Sequence, residues 1–330
     1  MTLKDIKIKD IVHVDGWRHV ANPEVEHITV QMYITRRCNH TCPYCTHMDN
    51  TEKFKTFEEY IELMDLIYDA VGEKDLIDFS FFGGEPTIVP RFNEIIDYIL
   101  SKWDNTYVTL TTNASMSIEW WKTLEKWKGR IHCFISYQHN SNKQRPLEVY
   151  IEKMKYLDSI GFTYYISVML ENECEDEIKE VIKRFVTIPE ISKYLTYASI
   201  DFTGVTEKYA GIEELFHHID YQVFEEQDFA LELTLKNGEI IHVNDHMPFK
   251  IYQLNKFKYF KCQVGHEHIL LDSNGDIYVC LSHILSDQAP IGNVYTKNVL
   301  NELAFGDGRI CTFDECVSEL WIEKERILNI

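Results

Sequence analysis

The chain has 330 residues with 53 acidic against 33 basic side chains, a formal net charge of -20, and 45% hydrophobic residues. That apolar share excludes a disordered polymer. The acidic balance, without a Lys/Arg stripe, excludes electrostatic capture of bare nucleic acid, which needs clustered cations to displace counterions.

No apolar run approaches the ~20 residues of a bilayer span, and MTLKDIKIKDIVHVDGW lacks the apolar centre of a secretory signal, so a cytoplasmic protein with no membrane or nucleic-acid partner is expected. Residues 1–27 read as an N-terminal extension. From 28 to 204 a short β-branched or aromatic run alternates with an amphipathic helical stretch. Strands are expected at His27–Arg36, Leu76–Phe82, Tyr107–Thr112, Arg130–Tyr137, Phe162–Leu170 and Leu195–Phe202, with helices at Thr56–Val71, Val89–Trp103, Ser117–Lys128, Pro146–Ser159 and Glu175–Thr187. Such alternation predicts an α/β unit with a parallel sheet, and six strands are too few for a closed eight-stranded barrel.

After Gly204 the pattern changes, and residues 205–330 predict a smaller α+β unit. Glu213–Asp228 reads as a helix. Two hairpins follow, with Asn237-Gly238 and Asn274-Gly275 as their turns, and Phe313–Leu328 reads as a closing helix.

Nine cysteines in a reducing compartment are poor candidates for structural disulfides, so their spacing matters more than their number. Cys38, Cys42 and Cys45 lie at C-x3-C-x2-C directly after the first predicted barrel strand. Three thiolates on one loop can hold three corners of a [4Fe–4S] cube and leave one iron open to a ligand. A zinc site is the alternative, with His40 or His47 as the fourth ligand. One βα unit later the chain reads FSFFGGEP, where Gly83 and Gly84 allow close backbone approach and Glu85 offers a carboxylate.

This pair of motifs, in a βαβ context, resembles the radical S-adenosylmethionine (SAM) superfamily. The resemblance implies a partial (β/α)6 barrel in which Cys38, Cys42 and Cys45 ligate the cluster and SAM chelates its open iron. It places Tyr44 near the adenine, Gly83, Gly84 and Glu85 at the methionine amino group, and Thr112 and Asn113 near ribose and methionine. Ser136 and Ser167 would face SAM from the fourth and fifth strands, each with the alternative of an ordinary packed serine. One-electron reduction of SAM would then release a 5′-deoxyadenosyl radical that abstracts a substrate hydrogen, with a flavodoxin or ferredoxin as reductant.

Cys262 and Cys280 flank the second hairpin, and Cys311 and Cys316 follow at C-x4-C. The segment resembles the SPASM/twitch extensions of radical SAM enzymes, which implies a second [4Fe–4S] cluster on these four thiolates. The longer SPASM pattern has more cysteines and a C-x2-C tail, so a third cluster is not expected, and zinc is again the alternative. With Ser136 turned inward, strand alternation turns His132 and Phe134 inward and Cys133 outward toward helices. Cys174, after the fifth strand, is either an inert thiol or a hydrogen donor. Gln138, His139 and Asp201 are candidate pocket residues.

The implied activity is SAM-dependent hydrogen abstraction from a peptide or small polar metabolite, leading to oxidation or cross-linking. Two rival readings remain: a redox-neutral epimerase using Cys174, and a non-catalytic iron–sulfur or zinc protein serving electron transfer or scaffolding.

Overall fold

The computed structural model describes residues 5–16, 22–45, 48–142, 146–171, 174–192, 195–199, 231–243, 252–296, 299, 308–317 and 319–327. In chain order the elements are β1 (Ile11–Gly16), β2 (His27–Thr35), α1 (Phe57–Val71), β3 (Leu76–Gly83), α2 (Phe92–Lys102), β4 (Thr106–Thr112), α3 (Ile118–Lys122) and β5 (Ile131–Tyr137). Next come α4 (His139–Asn142), α5 (Leu147–Ser159), β6 (Thr163–Leu170), α6 (Glu175–Val186), α7 (Pro189–Ser192) and β7 (Leu195–Ser199). The C-terminal part holds β8 (Leu231–Leu235), β9 (Ile240–Val243), β10 (Phe260–Cys262), β11 (His268–Leu271), β12 (Asp276–Tyr278), α8 (Leu281–Leu285), β13 (Gly292–Asn293), β14 (Arg309–Ile310) and β15 (Lys324–Arg326).

Strands β2 to β7 lie side by side in sequence order, all parallel, as a partial six-stranded barrel wall. Local chemistry sets the helices between them. Thr56 caps α1 through a reciprocal box, its hydroxyl accepting from the Glu59 amide at 3.2 Å while Glu59 accepts from the Thr56 amide at 2.7 Å. The helix then buries Tyr60, Leu63, Met64, Ile67 and Val71, the spacing of one helical face. These side chains share a core with Ile28, Val30, Met32 and Ile34 of β2 and Ile77, Phe79 and Phe81 of β3. The alternate strand positions, Gln31, Ser80, Thr109, Ser136 and Ser167 among them, turn to the opposite, inner face. Cys133 is fully buried in the helix-side core, while Phe134 is 47% exposed and stacks on Tyr165 at 5.4 Å, in line with the expected parity.

Both hairpins form, with Gly238 and Gly275 at φ +82° and +90° in their turns. The second does more than the sequence foretold: β11 joins the free edge of β2 in parallel, so the C-terminal hairpin extends the barrel wall into an open nine-stranded sheet. A separate six-stranded sheet runs β14-β10-β15-β1-β8-β9. The N-terminal residues therefore supply an inner strand of the C-terminal sheet, with Val14 opposite both Leu233 and Lys324. The core of that sheet is Ile11, Val14, Leu231, Leu233, Phe257, Phe260 and Leu320.

The expected closing helix is corrected: the described residues of 313–327 contain no helix, and Lys324–Arg326 is a strand between β10 and β1. Carbonyls that a helix would use internally go elsewhere, since Glu319, Leu320 and Ile322 all accept from the Lys324 ammonium. Tertiary pairing overrides the local periodicity. Glu213–Asp228, Asp201, His47 and the boundary at Gly204 lie outside the described residues.

Candidate active site and a second cysteine pocket

The cysteine loop leaves β2 through a tightly held neck. Glu52 accepts from the Thr35 hydroxyl and the Arg36 amide, both at 2.6 Å, and the Arg37 guanidinium donates to the Glu52 carbonyl at 2.8 Å. The end of β3 presses against this neck, Gly84 donating its amide to the Thr35 carbonyl at 2.9 Å and Glu85 to the Arg37 carbonyl at 2.8 Å. A Cβ on Gly84 would stand 1.9 Å from the Arg37 carbonyl oxygen, and Gly83 sits at φ +121° with no room for a side chain against Thr35. The two glycines thus let the cysteine loop itself approach.

Cys38, Cys42 and Cys45 are half-buried on this loop. The Cys38 amide donates to the Asn50 carboxamide at 3.0 Å, and the His40 amide donates to the Cys38 sulfur at 3.3 Å. The Cys45 amide donates to the Cys42 carbonyl at 3.0 Å, and Cys42 Sγ lies 3.3 Å from Ser141 Oγ. Burial pushes the Cys38 thiol up to about 11 and raises Cys42 and the neighbouring Tyr44 phenol as well.

The ends of β3 and β4 are joined by Glu85, which is 1% exposed. Its carboxylate accepts from the Thr87 hydroxyl at 2.5 Å, the Thr87 amide at 3.1 Å, the Thr112 hydroxyl at 2.6 Å and the Asn113 amide at 2.7 Å. Burial raises its carboxyl, against the pull of these four donors. Asn113 then carries the connection to the cysteine loop, its side-chain amide donating to Asn39 at 2.9 Å and lying 4.0 Å from Cys38 Sγ. Cysteine loop, Gly-Gly-Glu edge and Thr112–Asn113 therefore form one hydrogen-bonded unit at the C-terminal end of the sheet. Ser136 and Ser167 are opposed across β5 and β6, half-buried on the inner face.

Cys174 lies at the expected end of the barrel but is 4% exposed in the core, at the start of α6, with its sulfur 3.6 Å from the Asn140 side-chain amide. That is the placement of a packing thiol. His139 pairs with Glu177 at 2.6 Å, and Gln138 lies beside it at the end of β5. Sequence reasoning missed Ser141 and Glu171. Glu171, 1% exposed at the end of β6, receives the Asn140 amide at 3.3 Å, and burial raises its carboxyl. No local motif marks either residue.

The four C-terminal cysteines come together although they are spread over some fifty residues. Cys262, Cys280, Cys311 and Cys316 all line one cavity of about 500 Å3, with Glu319, Lys324 and His283 in the same wall. Burial raises all four thiols, Cys316 to about 12. Among the described residues, no three His, Cys, Asp or Glu side chains converge on a single-ion position.

The radical SAM superfamily model matches residues 32–185, from β2 through most of α6. A 105-residue stretch is 30% identical to the antilisterial bacteriocin subtilosin biosynthesis protein AlbA of Bacillus subtilis (strain 168), covering 31% of this chain and 22% of that relative, so the match spans about a fifth of its length. Streptococcus suis SuiB, solved bound to the precursor peptide SuiA, has the same fold over 88% of this chain and 68% of its own, with TM-score 0.57 and 19% identity. The structure of anSMEcpe with bound AdoMet matches over 83% of this chain and 82% of its own, with TM-score 0.55 and 15% identity. The likeness thus runs past the barrel into the C-terminal sheet. A C-x3-C-x2-C loop locked to a Gly-Gly-Glu strand edge thus sits on a partial parallel barrel whose residues 32–185 match the radical SAM superfamily, and the C-terminal sheet shares its fold with SuiB and anSMEcpe.

Proposed function

We propose that the chain is a peptide-modifying radical SAM enzyme of the oxidising or cross-linking kind. In this reading Cys38, Cys42 and Cys45 hold the SAM-binding [4Fe–4S] cluster and Cys262, Cys280, Cys311 and Cys316 hold a second one. The bound cluster and SAM supply a 5′-deoxyadenosyl radical that takes a hydrogen atom from the substrate. The protein's share is to hold the reacting groups in line and keep water away. Tyr44, Gly83, Gly84, Glu85, Thr112, Asn113, Ser136 and Ser167 form the SAM cradle. Within it Glu85 acts by fixing the strand ends, because its carboxylate already accepts four donors.

The peptide substrate is supported by AlbA, a bacteriocin biosynthesis protein by name, and by SuiB, solved with a precursor peptide. The oxidative outcome is carried by one observation, the gathering of four cysteines around a single cavity, Cys280 following β12 of the sheet that extends the barrel wall and Cys262 ending β10 of the six-stranded sheet. A second cluster held by these thiolates would supply the one-electron acceptor that oxidation of a substrate radical requires, the proton leaving to solvent. The 4% exposure of Cys174 supports this reading over an epimerase that would use it as hydrogen donor.

The test is anaerobic reconstitution followed by turnover of a candidate precursor peptide with SAM and a flavodoxin or ferredoxin reductant in D2O. A two-dalton loss in the peptide, together with 5′-deoxyadenosine and about eight irons per chain, is the expected result. A one-dalton gain points to hydrogen return instead. Stoichiometric zinc in place of iron defeats the two-cluster reading, and modification confined to small polar metabolites defeats the peptide reading.

A further inference from the structure

Lys324 is 1% exposed, lies in the middle of the six-stranded sheet and lines the cysteine cavity. Its antiparallel register sets it directly opposite Cys262, so the two side chains stand on one face with Cβ atoms about 5 Å apart. The Lys324 amine donates to the carbonyls of Glu319 at 2.5 Å, Ile322 at 2.7 Å and Leu320 at 3.4 Å, and sits 5.2 Å from the centre of the Phe257 ring. Three acceptors and an aromatic face are the surroundings of an ammonium ion. The counter-charge in the same wall is Glu319, also 1% exposed, whose carboxylate accepts from the Leu281 amide at 2.6 Å, one residue after Cys280.

A fixed cation beside four thiolates favours whichever redox state carries more negative charge, and in the low-dielectric interior the effect is strong. We propose that Lys324 is a positioning residue that raises the reduction potential of the C-terminal cluster, so that this cluster accepts an electron from the substrate rather than supplying one to the SAM site. The proposal rests on the two-cluster reading above. Glu319 opposes Lys324, and the balance between them sets the potential.

The experiment uses the full-length chain with Cys38, Cys42 and Cys45 changed to Ala, so that only the C-terminal site can hold iron. The reduced cluster is followed by electron paramagnetic resonance during redox titration. Lys324→Met is expected to lower the reduced-to-oxidised ratio at a fixed ambient potential by about tenfold, a shift of about 59 mV for a one-electron couple. Glu319→Gln should move it the other way, and Lys324→Arg should stay near the parent. The double variant Lys324→Met/Glu319→Gln, compared with Glu319→Gln alone, reads the lysine charge without leaving a buried carboxylate uncompensated. Absence of iron in the triple-cysteine parent overturns the second cluster itself. Iron retained with the ratio within twofold of the parent in the Lys324 variants overturns only the role of Lys324. Loss of iron in every neutral variant while Lys324→Arg keeps it assigns the residue to holding the loop, and also overturns the proposal.

Discussion

Arg36 grips Asp272 with two parallel hydrogen bonds, Nε at 2.9 Å and Nη2 at 2.8 Å. Arg36 opens the cysteine loop and Asp272 closes β11, so this fork ties the SAM-side motif to the hairpin of the C-terminal part. The pair is partly shielded, with side chains 25% and 12% exposed, and the guanidinium also lies over the Tyr33 ring at 4.8 Å. Arg36→Gln should cost about 1–3 kcal/mol, the range for a charge-assisted bond. Faster amide exchange at β11 and at the cysteine loop, with helix α5 unaffected, is the expected signature. Equal exchange everywhere would show that the fork does not couple them.

Gly84→Ala places a methyl where the Arg37 carbonyl oxygen stands. The neck must shift, and on the two-cluster reading proposed above the cluster at Cys38, Cys42 and Cys45 should be lost while the one at the C-terminal cysteines is retained. Iron analysis should fall from about eight to about four per chain. 5′-Deoxyadenosine formation should stop.

Glu85→Ala leaves the Thr112 hydroxyl and the Asn113 amide buried without their acceptor. A loss of about 2–4 kcal/mol in unfolding free energy is expected, with weakened SAM binding as Asn113 loosens. Denaturant titration and SAM equilibrium dialysis read the two effects separately.

His268 is fully buried, with Nε2 3.0 Å from the Gln31 carboxamide, and burial lowers its pKa to about 4. The unfolded chain takes up a proton near pH 6.5, so between those values it binds more protons than the folded one. Stability held above about pH 6.5 is therefore lost as the pH falls toward 4, by up to about 3 kcal/mol. His268→Gln should flatten that slope in urea titrations run across this range; an unchanged slope would place the acid sensitivity elsewhere.

Cys174→Ala should leave both 5′-deoxyadenosine and peptide product unchanged and cost only about 1 kcal/mol of packing, read from product mass and thermal unfolding.

Much of this was legible in the chain because the relevant signals are local. The β-branched and aromatic run at His27–Arg36 marks β2, the amphipathic stretch Thr56–Val71 marks α1, and Asn237-Gly238 and Asn274-Gly275 mark both hairpins. What was not legible depends on pairing across long sequence separations. Nothing near His268 announces that β11 will lie parallel to β2, and nothing near Val14 announces Lys324 as its neighbour. The tail of the chain failed for the same reason, its helical periodicity yielding to a slot between β10 and β1. The glycines of FSFFGGEP were visible as a close-approach signal, but which partner approaches was decided by the Arg37 carbonyl.

The placement of β1 has a consequence for biosynthesis. Its hydrogen-bonding neighbours are β8 and β15, so during synthesis β1 waits for strands made long after it. The strands β2 to β7 can pair with one another earlier, with only the β2 edge left waiting for β11, whereas the C-terminal sheet and its cysteine cavity are completed only after residues 324–326 emerge. Any metal at that cavity would have to enter after this pairing is complete. Deletion of the last ten residues should release the N-terminal strand together with the C-terminal one.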